Sequence, residues 1–341
     1  MEQGPEKVKL DKEQEIVLDY ILNLGSCYVV GPPGTGKTEI FNALGERWAS
    51  SAAFLPFTRA ARKELSDRLP HLDIKIDGET VKCPAHDISV STINSFCQSN
   101  LDEWPGTYDA QLTKFLESKN KVKYSLVGID EVQDLRPIHF DVIKSIINGK
   151  VFAGGDPNQT IFTFGEALGY KIFPELDKLC KKFELHNDYR SNPSIVSILN
   201  NLVSGDIQGL GPKTYNRNAI FARTHNQLGG ISKSLKDQGI PHTIRGKNGK
   251  DKVVLEENNL FLMVTHACKG LGFDKVYQFD WRLPHHPDVN YQEEYNLMYV
   301  SVARASKEFY LVDGNWNTNC WGYLRNTETK MVTNSELHKV L

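Results

Sequence analysis

"GPPGTGKT", residues 31–38, is the stretch whose reading decides the fold. It follows the apolar run "SCYVV" (26–30) and opens a helix-period segment over 37–48. Strand, glycine-rich turn, helix is the setting in which a G-x-x-x-x-G-K-T pattern works as a phosphate-binding loop. Glycines let backbone N–H groups turn inward around phosphate oxygens, and the helix N-terminus adds positive potential. The pattern predicts a nucleotide cradle built from Gly31, Gly34, Thr35, Gly36 and Lys37. Lys37 is expected to reach the β- and γ-phosphates, and the Thr38 hydroxyl to bind Mg²⁺.

Outward from this loop, "AAFLPF" (52–57), "YSLVGI" (124–129) and "VFAGG" (151–155) read as further buried parallel strands. Helical stretches such as 137–147 lie between them, which predicts a doubly wound α/β domain. A second series follows: "AIFAR" (219–223), "LFLMV" (260–264), "KVYQF" (275–279) and "EFYLV" (308–312), with helices over 225–238 and 291–306. In the last helix Tyr291, Tyr295, Met298, Val302 and Ala305 follow the 4-3-4-3 spacing of one buried face. Segments 204–218 and 245–259, rich in glycine or charge, read as surface loops. A chain of 341 residues suits two domains. The boundary falls near 186–192, where "SNP" (191–193) offers a helix cap followed by proline. The expected division is an N-terminal domain over 1–186 and a C-terminal domain over 187–341.

"YSLVGIDEVQD" places Asp130 and Glu131 just past a buried strand. Carboxylates at the C-terminal edge of such a sheet stand beside the phosphate loop. Asp130 is expected to hold Mg²⁺, and Glu131 to orient and deprotonate an attacking water.

Composition narrows the classes. Apolar residues make up 40% and charged residues 24%, ordinary for a globular protein with a sizeable core. Net charge is only -2, so binding to a polyanion must come from local patches rather than a global field. The six cysteines form no CxxC pair and read as reduced thiols. Cys83 and His86 in "CPAH" lack a second ligand pair, so no zinc site is expected. The opening "MEQGPEKVKLDKEQ" has no apolar signal core, and no apolar run approaches the roughly 20 residues of a membrane helix. A cytoplasmic protein without membrane contact is the expectation.

The pairing of "GPPGTGKT" with "DEVQD" resembles the UvrD/Rep/PcrA family of superfamily-1 DNA helicases, and further blocks follow in that family's order. Gln14 in "LDKEQEIVL" is similar to the family's adenine-reading glutamine. "FTRAARKEL" (57–65) and "STINSF" (91–96) resemble its DNA-touching segments. "GGDPNQTIFTF" (154–164) resembles the block whose glutamine, here Gln159, senses the γ-phosphate. "LHNDYRSNPSI" (185–195) matches the block whose tyrosine stacks on adenine and whose arginine meets the γ-phosphate, here Tyr189 and Arg190. "THACKGLGFDKV" (265–276) and "EEYNLMYVSVARA" (293–305) resemble the last two blocks, the latter with its finger arginine at Arg304.

The resemblance implies two RecA-like P-loop NTPase domains with parallel sheets and an ATP cleft between them. It implies a DNA-stimulated ATPase that moves 3′→5′ on single-stranded DNA and acts at junctions with duplex, using ATP and Mg²⁺. A monomer is expected. Phe57, Arg59, Thr92, Phe96, Phe162, Phe164 and His266 are the implied DNA contacts, with Arg62 as a further phosphate contact. Aromatic faces and cations suit sequence-independent single-strand binding. The competing reading of the phenylalanines is as core.

Four positions depart from the family pattern. Gly272 stands for the glutamate of "KGLEF", which contacts the sugar; Ala303 for a threonine; Gly165 for an arginine; and Asn94 for a histidine. The gaps from Cys97 to Ser125 and from Ile240 to Leu260 are too short for the family's accessory subdomains. A strand-splitting hairpin with Trp316 and Trp321 is one reading of 313–325; packing of those aromatics on the domain is the other. Two further functions stand beside the motor: an ATP-switch subunit serving a nuclease or replication or repair partner, and an RNA unwinder.

Overall fold

The computed structural model describes residues 9–57, 59–69, 71–76, 79–84, 87–162, 166–245, 260–279, 290–312, 329–333 and 336–341. For residues 59, 60, 64, 71–76, 79–84 and 338 only the backbone is described. The chain divides into two compact units, one of residues 1–31 and 36–185, the other of residues 32–35 and 186–341.

The first unit runs α1 (Lys12–Asn23), β1 (Cys27–Val30), α2 (Lys37–Arg47), β2 (Ala52–Leu55), α3 (Arg59–Arg68), β3 (His71–Ile76), β4 (Glu79–Pro84) and β5 (Ile88–Val90). It continues with α4 (Ile93–Ser99), α5 (Tyr108–Glu117), β6 (Tyr124–Ile129), α6 (Pro137–Ile146), β7 (Ile147–Gly155), α7 (Ile172–Asp177) and β8 (Lys181–Glu184). Six strands form a parallel sheet in the order β5-β2-β6-β7-β1-β8. Both faces are covered. Tyr28, Ala53, Leu55 and Val127 point to a core completed by α4, α5 and α6. Cys27, Val29, Ala52 and Phe54 point to a core completed by α1 and α2. Burial on both faces is why these strands are apolar runs rather than alternating patterns.

The topology positions the chemistry. Strands β6, β7 and β1 are adjacent and parallel, so their carboxyl ends lie along one edge. The loops leaving that edge begin at Asp130, Asp156 and Gly31, and ligands of open α/β sheets bind at this kind of edge.

The second unit runs β9 (Asn187–Asp188), α8 (Pro193–Val203), β10 (Gln208–Gly209), β11 (Asn218–Ala222), α9 (His225–Asp237), β12 (Thr243–Ile244) and β13 (Leu260–Val264). Then come β14 (Phe273–Phe279), α10 (Tyr291–Val302), β15 (Ala305–Val312) and β16 (Lys330–Val332). Its sheet is parallel throughout, in the order β12-β13-β11-β14-β15-β16. Its core joins Ile220, Leu228, Ile231, Leu262, Tyr277 and Tyr310, the last two rings stacked at 4.8 Å. Two mostly parallel sheets with a P-loop make this a two-domain P-loop NTPase fold of the RecA-like kind.

Three sequence expectations change. The helix predicted over 291–306 stops at Val302, because from Ala305 the backbone pairs with β14. Tyr291 is not part of its buried face, at 63% exposure, whereas Asn296 to Val302 are buried without a break. This helix is enclosed nearly all round, so a narrow stripe understates it. The antiparallel hairpin β3–β4 was not expected. Asp77-Gly78 between alternating apolar residues is the hairpin signal that would have found it. Between α4 and β6 the chain holds one ten-residue helix, α5.

Among the described residues no helix is long and apolar enough to cross a membrane. Cys27, Cys97, Cys180 and Cys268 are free thiols. The Cys83 side chain, His86, Thr163 to Gly165 and the 313–325 stretch lie outside the described residues, as do 246–259 in the second expected loop.

Candidate functional site

The loop from β1 to α2 carries its glycines where a side chain would not fit. Gly34 (φ +93°) and Gly36 (φ +76°) adopt the left-handed region. A Cβ at Gly36 would stand 2.2 Å from Gln14 Nε2. Gln14 itself is buried and completes a capping box on α1: Asp11 Oδ1 accepts from the Gln14 N–H at 2.8 Å, and Gln14 Oε1 accepts from the Asp11 N–H at 2.9 Å. The structure thus fixes the Gln14 side chain against the loop through the cap. Lys37, the first residue of α2, is buried, and its Nζ donates to the Gly31 carbonyl at 2.6 Å. A Cβ on Gly154 would lie 3.6 Å from Asp130 Oδ1 and 3.7 Å from Lys37 Cδ, so the lysine and the carboxylate flank one glycine.

Past β6 the backbone turns sharply. Glu131 has φ 55°, an uncommon conformation for a non-glycine residue. Its Oε2 accepts from Gln133 Nε2, while Asp130 Oδ1 accepts from the Glu131 N–H at 3.0 Å. Gln133 is fully buried, and its Oε1 accepts from the Asp156 N–H at 3.0 Å. Asp156 then accepts from the Asn158 N–H at 2.9 Å and from Gln159 Nε2 at 3.1 Å. One chain of hydrogen bonds therefore joins Glu131 to Gln159 through Gln133 and Asp156. Burial raises the Asp156 carboxyl above its usual range, opposed by nearby Lys37 and the amides it accepts from. Sequence reading passed over Gln133 and Asp156; both stand inside quoted motifs, and only the fold shows that they link.

The tip of the loop, Pro32 to Thr35, packs with the second unit. There the Tyr189 N–H donates to the Gly34 carbonyl at 3.0 Å. A Cβ at Gly34 would meet Asp188 Oδ1 at 2.2 Å. That oxygen already accepts from the Arg190 N–H at 2.6 Å and the Ser191 N–H at 3.1 Å. Tyr189 presents its ring at 41% exposure. Arg190 Nη1 is buried without a hydrogen-bond partner, a donor with charge to place. Within the first unit, buried Lys37, Thr38 and the carboxylates of Asp130 and Glu131 are a donor set that fits the phosphates of a nucleotide triphosphate with a divalent cation at Thr38 and Asp130.

Arg304 is 2% exposed, the largest fully buried side chain described. Its Nε donates to the Val300 carbonyl at 3.3 Å and its Nη1 to the Leu271 carbonyl at 3.2 Å. Below "THACK", the buried Thr265 and Ser301 hydroxyls and the Gln278 amide share hydrogen bonds that tie β13, β14 and α10 together. His266 Nδ1 lies 3.4 Å from Arg223 Nη1, and Arg223 also pairs with the buried Glu294. Burial and the Arg223 charge push His266 down to about 4, so the ring is neutral near pH 7. Gly272 has a local reason: a Cβ would stand 2.3 Å from Cζ of the Tyr215 ring, which fills that space.

Of the implied DNA contacts, Phe57, Thr92 and Phe162 are part-exposed, and Arg62 is exposed. Thr92 caps α4. The Arg59 side chain and Phe164 lie outside the described residues. Phe96 is a correction. It is 1% exposed, edge-on to Phe115 at 5.7 Å and Tyr124 at 6.0 Å, so its ring belongs to the core and offers no face to a base. Phe96→Ala is expected to destabilise the fold by about 3–5 kcal/mol. Urea denaturation checks this; an unchanged midpoint would return Phe96 to the surface.

Two histidines give a pH signature. His139 is also buried and held down to about 4, first by burial and then by Arg136. Each folded-state value lies below that of the unfolded chain, so the unfolded state takes up protons first as acid is added. Stability is full above about pH 6.5 and falls as pH drops toward 4. The urea midpoint is expected to decline from pH 7 to pH 5, and less so in His139→Gln; an identical decline in that variant would assign the effect elsewhere.

Comparison with known proteins gives two family profiles. One, described as AAA domain, matches residues 13–165; the other, UvrD-like helicase C-terminal domain, matches residues 246–313. No curated protein matches. Among solved structures, the arterivirus nonstructural protein 10 helicase in complex with DNA superposes with a TM-score of 0.50 at 17% identity, over 88% of this chain and 63% of that one. A structure of Pif1 helicases at forked duplex DNA superposes at 0.49 and 14% identity, over 88% of this chain and 90% of that one. At such identities the arterivirus likeness is one of fold. The chain spans about 63% of the length of the arterivirus protein it matches.

Proposed function

The chain belongs to the UvrD-like superfamily-1 helicases, and on that premise we propose that it is an ATP-driven translocase that moves 3′→5′ on single-stranded DNA and unwinds duplex at junctions. The observation that carries this reading is the hydrogen-bonded chain from Glu131 through Gln133 and Asp156 to Gln159. A hydrolytic base tied to the segment that leads into Phe162 is what coupling of hydrolysis to a DNA track requires.

In this reading Lys37 and the backbone amides of the loop hold the β- and γ-phosphates, and Tyr189 stacks on adenine. Gln14 reads the adenine edge. Thr38 and Asp130 are the oxygen donors for Mg²⁺, which when bound neutralises charge on the phosphate oxygens. Glu131 takes the proton of the attacking water. Arg190 and Arg304 place positive charge on the γ-phosphate. Phe57, Thr92 and Phe162 line the DNA path, with Arg62 on phosphates. A reduced cytoplasm and a monomer complete the proposal.

ATP turnover with and without single-stranded DNA tests it. Stimulation by DNA and not by RNA of the same sequence is expected. Equal rates in all conditions would sink the motor reading and favour an ATP switch for a partner protein.

A further inference from the structure

Gln278 is fully buried near the carboxyl end of β14, level with Phe221 of β11 and Leu311 of β15. Its amide makes every hydrogen bond open to it. Oε1 accepts from the Ser301 hydroxyl at 2.7 Å and from the Thr265 hydroxyl at 3.4 Å, whose proton is shared with the Ala222 carbonyl at 3.2 Å. Nε2 donates to the Phe221 carbonyl at 3.3 Å and to the Phe279 carbonyl at 3.4 Å. Carbonyls only accept, so the amide has a single orientation. Thr265 and Ser301 are fully buried as well. Apolar groups of the same shape at these three positions would hold the unit together about as well. They would not fix direction, which a fully satisfied buried network does.

Direction matters because of where the two hydroxyls lie. Thr265 opens the turn Thr265–Cys268 that follows β13, and Leu271 lies just beyond that turn. Ser301 lies in the last turn of α10, and its carbonyl accepts from the Arg304 N–H at 3.2 Å. Arg304 closes the far side. Its Nη1 donates to the Leu271 carbonyl at 3.2 Å, its Nε donates to the Val300 carbonyl at 3.3 Å, and its own carbonyl accepts from the Phe273 N–H at 2.9 Å. The bonds form a closed ring, from Gln278 through Ser301 to Arg304, across to Leu271, and back along the loop to Thr265. A planar guanidinium needs its acceptors in fixed relative places. Here one acceptor, Val300, belongs to α10 and the other, Leu271, to the loop. Gln278, from a third element, bonds to both segments at once.

We propose that Gln278 is a positioning residue for ATP turnover: by holding Ser301 and Thr265 on one amide, it sets the Arg304 guanidinium in the place from which it acts on the γ-phosphate. The inference rests on the role of Arg304 in the function proposed above. Residue 278 lies outside every motif of the sequence that suggested chemistry.

The test is steady-state ATP turnover of the full chain with saturating single-stranded DNA, over a range of ATP concentrations. Gln278→Met keeps the length of the side chain and removes the amide. Its kcat is expected to fall about 10- to 100-fold, the cost of a misplaced group. KM for ATP is expected to stay within about twofold, as for an interaction made in the transition state. Ser301→Ala, which takes one hydroxyl from a helix, is expected to lower kcat as well, and the double variant no further than Gln278→Met alone. In the Arg304→Lys background, Gln278→Met is expected to change kcat by less than about twofold, because the group it acts through is already lost. A thermal melt shows which variants fold; if Gln278→Met does not, Ser301→Ala alone and in the Arg304→Lys background makes the same comparison. Turnover equal to that of the native chain, with or without a lowered melting temperature, overturns the proposal and leaves Gln278 a structural group. An equal loss in the Arg304→Lys background overturns it too, as does a loss that appears in KM rather than kcat. A fully active Arg304→Lys, or a native chain without ATP turnover, overturns the role of Arg304 and this inference together.

Discussion

Glu131→Gln is expected to lower ATP turnover by about a hundred- to ten-thousand-fold while nucleotide binding persists. The residue adopts the left-handed backbone region (φ 55°) just past β6, and Gln133 Nε2 donates to its Oε2. In the proposed role this carboxylate orients the water and takes its proton. Glutamine preserves size and hydrogen bonding but has no basic oxygen. It sits beside the loop rather than in it, so the cradle made by Lys37 and the backbone amides is untouched. Binding of a fluorescent ATP analogue, measured alongside turnover, separates the two effects. Full turnover in this variant would remove Glu131 from the base role.

Arg304 carries the second large expectation. Arg304→Lys should lower turnover by about a thousand- to a hundred-thousand-fold, the range attributed to an arginine that meets transferring phosphoryl charge. Lysine keeps the charge but loses the planar fork, and at such a position the exchange is not conservative. The environment makes the comparison clean. The guanidinium is buried and donates to the Val300 and Leu271 carbonyls, so Arg304→Ala would strip those acceptors and leave a void. That variant is expected to lose stability as well, by about 3–5 kcal/mol. Lysine can still donate to one carbonyl, so a folded but inactive Arg304→Lys is the informative result. If its turnover matched the native chain, Arg304 would be a structural residue that ties α10 to the loop after "THACK".

Much of the architecture was legible because its signals are local. The strand–loop–helix around 31–38 needs only a buried run, glycines and a helical period, and the structure has β1, the loop and α2 in that order. Apolar runs buried on both faces announced parallel sheets in both units. Where the reading slipped, distant partners decided. Val302 ends α10 because β14 claims the backbone from Ala305 onward. Tyr291 starts the helix yet faces water, a fact its spacing could not reveal.

The candidate site divides in the same manner. Sequence alone named the candidates for chemistry: Lys37, Thr38, Asp130 and Glu131 from the spacing of two patterns, and Gln159, Arg190 and Arg304 from the resemblance to a family's blocks. Tertiary structure alone decided what surrounds each group. It placed Phe96 in the core, held His266 neutral beside Arg223, filled the space beside Gly272 with the Tyr215 ring, and threaded Gln133 and Asp156 between Glu131 and Gln159. Conformation and periodicity act over a few neighbouring residues, whereas burial, protonation and hydrogen-bond partners depend on segments that meet only when the chain has folded.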